Sequence, residues 1–228
     1  MSILNEVQIL QRLSEPDLER RIMITPLVRP EEQFGPTSVD LRLGTDFQVM
    51  YRSNITHLDP TGEQERLGRD VRRAMQLVKV QPTEPFILHP GEFALASTLE
   101  FVKIPLDLAA RLEGRSTWGR LGLQIHATAG FVDPGFAGAL TFELSNVSRV
   151  PLPLYPGIRI AQICFYESGK TSLPYTQKRY SKYSGRTTTA SSAFYKDPEY
   201  QRIRQAMQME TTHATAMTSP KPEPAPIP

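Results

Sequence analysis

The spacing of apolar residues changes along the chain, from a helical repeat before Pro30 to an alternating one after it. Near the N-terminus the apolar positions fall at helical spacing, at Ile3, Leu4, Val7, Leu10 and Leu13. This spacing predicts a short amphipathic helix. After Pro30 every second residue is apolar, at Val39, Leu41 and Leu43 and then at Phe47, Val49 and Tyr51. The alternation predicts strands with one buried face.

Turn residues divide the rest of the chain into short segments. Phe93, Leu95 and Ser97 resume the alternation after Pro90-Gly91. Between residues 121 and 166, apolar stretches are interrupted by Asp133-Pro134-Gly135, Asn146 and Pro156-Gly157. The charged residues 59–76 indicate a loop with a short helix. Many short strands separated by Pro/Gly turns predict an all-β sandwich or barrel of the jelly-roll type.

The C-terminal part of the sequence differs in composition from the rest. Residues 184–193, SGRTTTASSA, are small and polar and indicate a flexible segment. The end of the chain, TSPKPEPAPIP, is rich in proline and offers little that a core could bury, so we expect it to be disordered. The sequence therefore predicts one domain over residues 1–187 and a C-terminal extension over residues 188–228.

Charge and the N-terminal sequence narrow the class of protein. Lys plus Arg number 26 and Asp plus Glu number 24, a balance that argues against nucleic-acid binding. No apolar run is long enough to cross a bilayer, which argues against a membrane partner. The first residues, MSILNEVQILQRL, lack the basic start and the cleavage site of a signal peptide. We therefore expect a cytoplasmic protein.

Cysteine and histidine usage argues against zinc chemistry. Cys164 is the only cysteine, so no intrachain disulfide can form. Zinc-dependent base deaminases need a His-x-Glu and a Pro-Cys-x-x-Cys, and both are absent here. The four histidines are widely separated, so we expect no protein-bound metal. The phosphate-binding loops of kinases and dehydrogenases are also absent.

Residues 114–120 have the composition of a phosphate-binding turn. A flexible Gly114 precedes Arg115, Ser116 and Thr117, which supply a cation and two hydroxyls. Ser116 is positioned to cap a short helix over residues 117–120. Backbone N–H groups at the start of that helix, with Arg115 and Arg120, would suit a polyphosphate. A capped surface helix with solvated arginines is the alternative interpretation.

Glu143 is unusual because it lies in an otherwise apolar strand. Strand alternation places it on the same face as Thr141 and opposite Phe142 and Leu144. Such a carboxylate is either on an exposed face or a partly buried acid with a raised pKa. Asp133 alone is a turn residue, and His126 in its apolar surroundings is by default a hydrogen-bonded core histidine.

Taken in order, the motifs resemble the dCTP deaminase family of the dUTPase-like superfamily. The resemblance extends over residues 1–187 and is closest to the bifunctional, dUMP-forming members. It rests on SVDLRLG at 38–44, LHPGEFALA at 88–96, EGRS and RLGL within 113–123, HATAGFVDPGF at 126–136, the Glu143 strand, LYPGIRIAQICF at 154–165, and Tyr175 followed by Lys182-Tyr183.

The resemblance implies a mostly β, jelly-roll-like subunit that forms a homotrimer with active sites at subunit interfaces. It implies catalysis by Glu143 with Ser116 and Arg120. The implied nucleotide-binding residues are Arg115, Ser116, Thr117, Trp118, Gly119 and Arg120 for the triphosphate, Asp133 for the deoxyribose, Thr141, Phe142 and Glu143 for the base, and Gln162, Tyr175, Lys182 and Arg186 around the triphosphate. Mg²⁺ would arrive with the triphosphate, and zinc is not expected.

The implied reaction is hydrolytic deamination of dCTP, supplying dUMP for thymidylate synthesis. Gly130 and Gln162 match the bifunctional members and favour dUMP plus pyrophosphate as products. Two positions depart from the family pattern, because Arg186 stands where a Gln is usual and Thr117 where a Ser is usual. A monofunctional dUTP-releasing deaminase, a dUTPase without deaminase activity and a non-catalytic nucleotide sensor remain as alternatives.

Overall fold

Two long strands, β2 (Val39–Met50) and β5 (Phe93–Lys103), form the centre of a curled antiparallel sheet. The computed structural model describes residues 2–50, 57–59, 61–177, 181–189 and 191–218. The remaining strands are β1 (Met23–Thr25), β3 (Met75–Lys79), β4 (Phe86–Leu88), β6 (Leu108–Gly114), β7 (Leu123–Gln124), β8 (Phe131–Val132), β9 (Ala137–Asn146), β10 (Leu152–Leu154) and β11 (Arg159–Glu167).

The main sheet, within the described residues, has nine strands. Seven follow the order β7-β9-β5-β2-β11-β6-β8, while β1 pairs with β5 and β3 pairs with β2. β4 and β10 form a separate two-stranded sheet. The prediction of a mostly β fold is therefore confirmed, although β2, β5, β9 and β11 are longer than the short strands that the sequence predicted.

The alternating apolar residues face the interior, as the sequence predicts. Val39, Leu41 and Leu43 of β2 are fully buried, and so are Phe142 and Leu144 of β9. Because successive side chains of a strand point to opposite faces, the residues between them are left for the other face of the sheet. Tyr51, the last residue of the predicted alternation, lies outside the described residues.

The predicted N-terminal helix is present as α1 (Glu6–Leu13). Asn5 caps it in a reciprocal arrangement: its Oδ1 accepts from the Gln8 N–H at 2.9 Å, and its own N–H donates to Gln8 Oε1 at 2.9 Å. Ile9 is fully buried and fixes the helix against the sheet. A second short helix, α2, covers Pro30–Gln33.

Two further helices lie close to the positions where the sequence predicted short helices. α3 (Gln64–Ala74) lies within the charged segment and buries Leu67 and Val71. α4 (Ser116–Gly119) begins one residue earlier than predicted, so the expectation that Ser116 caps it is wrong. The reason is that Arg115, directly after β6, keeps an extended backbone, and its N–H donates to the Ile160 carbonyl at 3.1 Å. Arg115 then occupies the capping position without a side-chain cap.

The C-terminal extension is more structured than its composition indicated. Thr189 and Ala193 are buried, whereas the sequence predicted a flexible segment there. A helix that the sequence analysis did not predict, α5, covers Pro198–Thr218. The Pro-rich tail of the prediction lies, from residue 219 onward, outside the described residues. No helix among the described residues is long and apolar enough to span a bilayer.

Candidate active site

A cavity of about 390 Å³ lies between β9, the turn after β8 and the C-terminal segment. Five residues singled out from the sequence meet at its wall: Asp133, Thr141, Glu143, Tyr175 and Arg186. Apolar side chains form most of the remaining lining, including Met50, Phe93, Leu95, Phe131, Phe136 and Leu140. A mainly apolar wall with a few convergent polar groups is typical of a small-molecule site.

Glu143 is held on the cavity wall by contacts from two directions. On β9, Glu143 lies opposite Leu95 of β5, and its backbone N–H donates to the Ile125 carbonyl at 2.8 Å. Its Oε2 accepts a hydrogen bond from the Ala127 N–H at 2.9 Å. The half-buried carboxylate is therefore fixed in orientation and faces the same cavity as Thr141. This geometry suits a residue that transfers protons.

Gly130, between the cavity-lining residues Ala129 and Phe131, is in a tightly packed position. A Cβ added there would be 2.9 Å from the Leu112 carbonyl oxygen and 3.1 Å from His126 Nε2. The missing side chain therefore leaves no open space at this point, because the Leu112 carbonyl and the His126 ring lie there. His126 is itself not the satisfied core histidine that was expected, since its buried Nδ1 has no hydrogen-bond partner within the described part of the chain.

Arg115 and Trp118, both predicted to contact the triphosphate, are hydrogen-bonded to the sheet. Arg115 Nη1 and Trp118 Nε1 each donate to the Arg159 carbonyl at 3.1 Å. Arg115 Nε also forms an ion pair with Asp40 Oδ2 at 3.1 Å. These contacts attach α4 to β11 and fix the backbone N–H groups at its start.

The rest of the predicted phosphate-binding turn is exposed and lies outside the cavity lining. Ser116, Thr117, Gly119 and Arg120 are all exposed. The cavity lining, as far as the chain is described, includes no residue between Arg115 and Arg120. The structure of one chain therefore does not bring Ser116 and Arg120 together with Glu143, as the predicted catalytic group requires.

Three further predicted residues also lie elsewhere. Phe142 is fully buried in the core, so its side chain does not line the cavity and only its backbone can face a ligand. Gln162 Oε1 accepts from Ser38 Oγ at 3.1 Å on the opposite part of the sheet. Lys182 Nζ forms a 2.5 Å ion pair with Asp197 Oδ1.

The sequence reasoning missed the part played by Asp40. Asp40 Oδ2 lies 3.1 Å from Arg115 Nε and 3.3 Å from Arg159 Nη1, so one carboxylate orients two arginines. Burial raises the pKa of Asp40, and the neighbouring arginines act in the opposite direction. The available signal was a carboxylate at a polar position of an otherwise alternating apolar strand, within SVDLRLG.

The described residues contain no group of three or more His, Cys, Asp or Glu side chains arranged to hold a metal ion. The cavity wall does contain the hydrogen-bonded Glu143 carboxylate together with Asp133, Tyr175, Tyr183 and Arg186. This set can hold a polar ring and a sugar and can move protons at the ring.

Comparison with known proteins identifies similar sequences over most of the chain. The sequence model of the family described as dCTP deaminase-like matches residues 3–168. A protein of Dictyoglomus turgidum named dCTP deaminase, dUMP-forming, is 46% identical over 177 residues, which are 75% of this chain and 88% of that protein. A protein of the same name from Streptomyces avermitilis is 48% identical over 177 residues, or 76% of this chain and 88% of its own.

The name of a third relative does not state the product of the reaction. The dCTP deaminase of Natronomonas pharaonis is 45% identical over 199 residues, which are 87% of this chain and 97% of that protein. Among solved structures, the 2'-deoxycytidine 5'-triphosphate deaminase of Agrobacterium tumefaciens superposes with a TM-score of 0.53 at 23% identity. The superposition covers 73% of this chain and 48% of that one, so this chain spans about half of that structure. This likeness supports the fold.

Proposed function

This chain belongs to the dCTP deaminase-like family, and from that premise we propose that it is a hydrolytic dCTP deaminase that forms dUMP. The observation that carries the proposal is the Glu143 carboxylate, fixed by the Ala127 N–H at 2.9 Å in a cavity shared with Asp133 and Thr141. Relatives of 46% and 48% identity that match over most of their length are named dUMP-forming dCTP deaminases.

The first step uses Glu143 as the proton carrier. Glu143 takes a proton from a water that attacks C4 of cytosine and delivers it to N3. It then takes the second proton from the new C4 hydroxyl and delivers it to the amino group, which leaves as ammonia while C4 becomes a carbonyl. The Ala127 N–H keeps the carboxylate pointing at the same position throughout the cycle. The surrounding apolar wall excludes bulk water and so strengthens the fixed polar contacts.

The second step is hydrolysis of the bond between the α- and β-phosphates, in which dUTP and water give dUMP and pyrophosphate. Gln162 and Arg186 are proposed to contribute to triphosphate binding. The substrate is the magnesium complex of the nucleotide, in which the phosphate oxygens hold the hard cation. The attack at the base involves no zinc, and tightly bound zinc in the purified protein would contradict this mechanism.

The remaining parts of the site are proposed to come from a neighbouring subunit of a homotrimer. The backbone N–H groups of α4, with Arg115 and Arg120, suit a triphosphate. Ser116 and Arg120 would complete the catalytic group around Glu143, and Lys182 is assigned to the triphosphate by family resemblance. We place the enzyme in the cytoplasm, without nucleic-acid or membrane partners, where its dUMP would be available for thymidylate synthesis.

A monofunctional deaminase is the second candidate, because the relative from Natronomonas pharaonis is named only dCTP deaminase. Single-turnover analysis of dCTP, with ammonia and pyrophosphate measured in parallel, separates the alternatives. We expect ammonia, dUMP and pyrophosphate in equal amounts. Stoichiometric dUTP without pyrophosphate would indicate a monofunctional deaminase. Absence of ammonia would indicate a dUTPase or a non-catalytic nucleotide sensor.

Gly130 is a poor position for testing the product. A Gly130→His substitution would place a Cβ 2.9 Å from the Leu112 carbonyl oxygen, so its effect on folding would obscure any change in product. The single-turnover product analysis is therefore the better test. Gln162→Glu adds a negative charge without changing the length of the side chain, and we expect it to weaken the binding of dCTP and of dUTP alike, because both carry the triphosphate.

A further inference from the structure

The described part of the C-terminal extension folds back onto the domain. Residues 191–204, here called the strap, lie against α3 and the loop before it. Ala193 is buried, and the Tyr195 ring lies so close to Gly68 that a Cβ there would be 3.3 Å from its Cζ. Arg204 Nε donates to the Thr61 carbonyl at 2.9 Å. The strap is therefore attached at both its beginning and its end.

The strap holds the segment that precedes it, residues 181–186, here called the lid. Lys182 Nζ and Asp197 Oδ1 form an ion pair of 2.5 Å, with side chains only 15% and 30% exposed. The Tyr183 hydroxyl accepts a hydrogen bond from the Ala193 N–H at 3.2 Å. Consecutive residues of the lid are thus bound to two separate points of the strap.

The other end of the lid contacts the cavity. Tyr183 and Arg186 line it, as does Ser192 of the strap. Two backbone hydrogen bonds fix the lid to β9: the Gly185 N–H donates to the Ala137 carbonyl at 2.7 Å, and the Ala139 N–H donates to the Arg186 carbonyl at 2.8 Å. A displacement of Lys182 would therefore be transmitted over four residues to the wall that contains Glu143.

We infer that the strap is a structural part of the nucleotide site and that Asp197 is a positioning residue, which acts through Lys182 to hold Tyr183 and Arg186 at the cavity. The inference rests on the proposed function for the identity of the ligand. The Lys182–Asp197 pair is mostly shielded from solvent, so removal of one charge leaves the other poorly compensated. The lid would then leave the cavity more often, and nucleotide would be lost more readily.

The test is Asp197→Asn, with Glu199→Gln as the matched control. Both substitutions remove one carboxylate charge at the start of α5, but Glu199 is exposed. We expect Asp197→Asn to raise the KM for dCTP by about threefold to tenfold, to leave kcat within about twofold, and to leave the midpoint of thermal unfolding unchanged. Asp197→Glu should restore most of the affinity, and the control should behave like the unmodified chain.

Hydrogen exchange provides a second readout that needs no catalysis. The Gly185 amide, which is bonded to Ala137, should exchange about threefold to tenfold faster in Asp197→Asn. This measurement stands even if the chain releases no ammonia from dCTP, so failure of the proposed function and failure of this inference are distinguishable. An unchanged KM with unchanged exchange would overturn the inference. A lower KM would also overturn it, because Asp197 would then be withholding Lys182 from the triphosphate.

Discussion

Glu143 is the residue on which the proposed chemistry depends most directly. Glu143→Gln keeps the shape of the side chain and an oxygen for the Ala127 N–H, but it cannot carry protons. We expect deamination to fall by at least about 10²–10⁴-fold while dCTP binding stays nearly unchanged. Ammonia release and nucleotide affinity measure the two effects separately. Glu65→Gln on the exposed face of α3 is the control, and near-normal turnover of Glu143→Gln would mean that another group moves the proton.

Glu100 is a second buried carboxylate, and its effect is on stability. Burial raises the pKa of Glu100 from its ordinary 4.5 to about 7, although Arg42, through its N–H and its charge, and Gln33 oppose the shift. Below pH 4.5 the group is protonated in both the folded and the unfolded chain, and above about pH 7 it is ionised in both. Between these values the folded chain holds a proton that the unfolded chain has released, so the free energy of unfolding falls as pH rises.

We therefore predict that Glu100→Gln removes a fall of a few kcal/mol in the free energy of unfolding between about pH 5 and about pH 7. Denaturant titrations at several pH values measure it. The two oxygens of Glu100 accept from Gln33 Nε2 and from the Arg42 N–H, and an amide can accept only one of these bonds without rearrangement. The variant will therefore be less stable overall, and the pH slope is the quantity to compare. An equal slope in both proteins would contradict the assignment.

Strand alternation correctly predicted the face of the sheet on which a side chain lies, because that face depends only on the position of the residue within its own strand. Glu143 and Thr141 share the cavity face and Phe142 lies in the core, as the period of two requires. Asp40 could not be assigned in the same way, because its partners Arg115 and Arg159 belong to other strands or their ends. Which strands become neighbours depends on packing across the whole sheet, and the local pattern does not contain that information.

At the scale of elements, the sequence predicted those with a clear apolar repeat and missed those without one. α1 combines an apolar stripe with the Asn5 capping box, and both can be seen in the sequence. α5 has no comparable stripe, and residues 205–210 of it are all exposed. The segment of residues 184–193, which precedes α5, is small and polar, and it is ordered by specific contacts such as the hydrogen bond from the Ala193 N–H to the Tyr183 hydroxyl. Composition therefore gave no signal for it.

Two truncations test the roles of these elements. Removal of residues 205–228 should leave folding and catalysis intact, since residues 205–210 are all exposed. Removal of residues 175–228 should raise the KM for dCTP strongly, because Tyr175, Tyr183 and Arg186 would be lost from the cavity wall. Steady-state kinetics and thermal unfolding of both proteins decide between these outcomes. Equal effects on KM would mean that the C-terminal contacts have been assigned to the wrong elements.

At the scale of the molecule, the residues of the proposed site do not all line one cavity of the single chain. Glu143 and Asp133, proposed to carry protons and to bind the sugar, line the cavity, whereas the proposed anion-binding turn around α4 is exposed and does not contribute to the cavity lining, so far as the chain is described. Leu121, directly after Arg120, is a half-exposed apolar residue on the same surface. A closed symmetric assembly can bring the α4 of one subunit to the cavity of the next, since a heterologous interface joins two different surfaces.

Complementation between inactive variants tests this arrangement directly. Glu143→Gln and Arg120→Ala should each be nearly inactive alone, because each site would lack one of the two residues. If a site takes Glu143 from one subunit and Arg120 from its neighbour, mixed trimers regain complete sites wherever an Arg120→Ala subunit supplies the glutamate and a Glu143→Gln subunit supplies the arginine. Each mixed trimer then has one complete site of three, so we expect about a third of the activity of the unmodified protein in the isolated mixed trimers and about a quarter in the whole random mixture. Co-expression with two different affinity tags isolates the mixed assemblies, and ammonia release from dCTP measures their activity.

Trimers that carry both substitutions in every chain provide the inactive control. Mixed trimers as inactive as this control would mean that each site is built within a single chain, and α4 would then have to move towards its own Glu143.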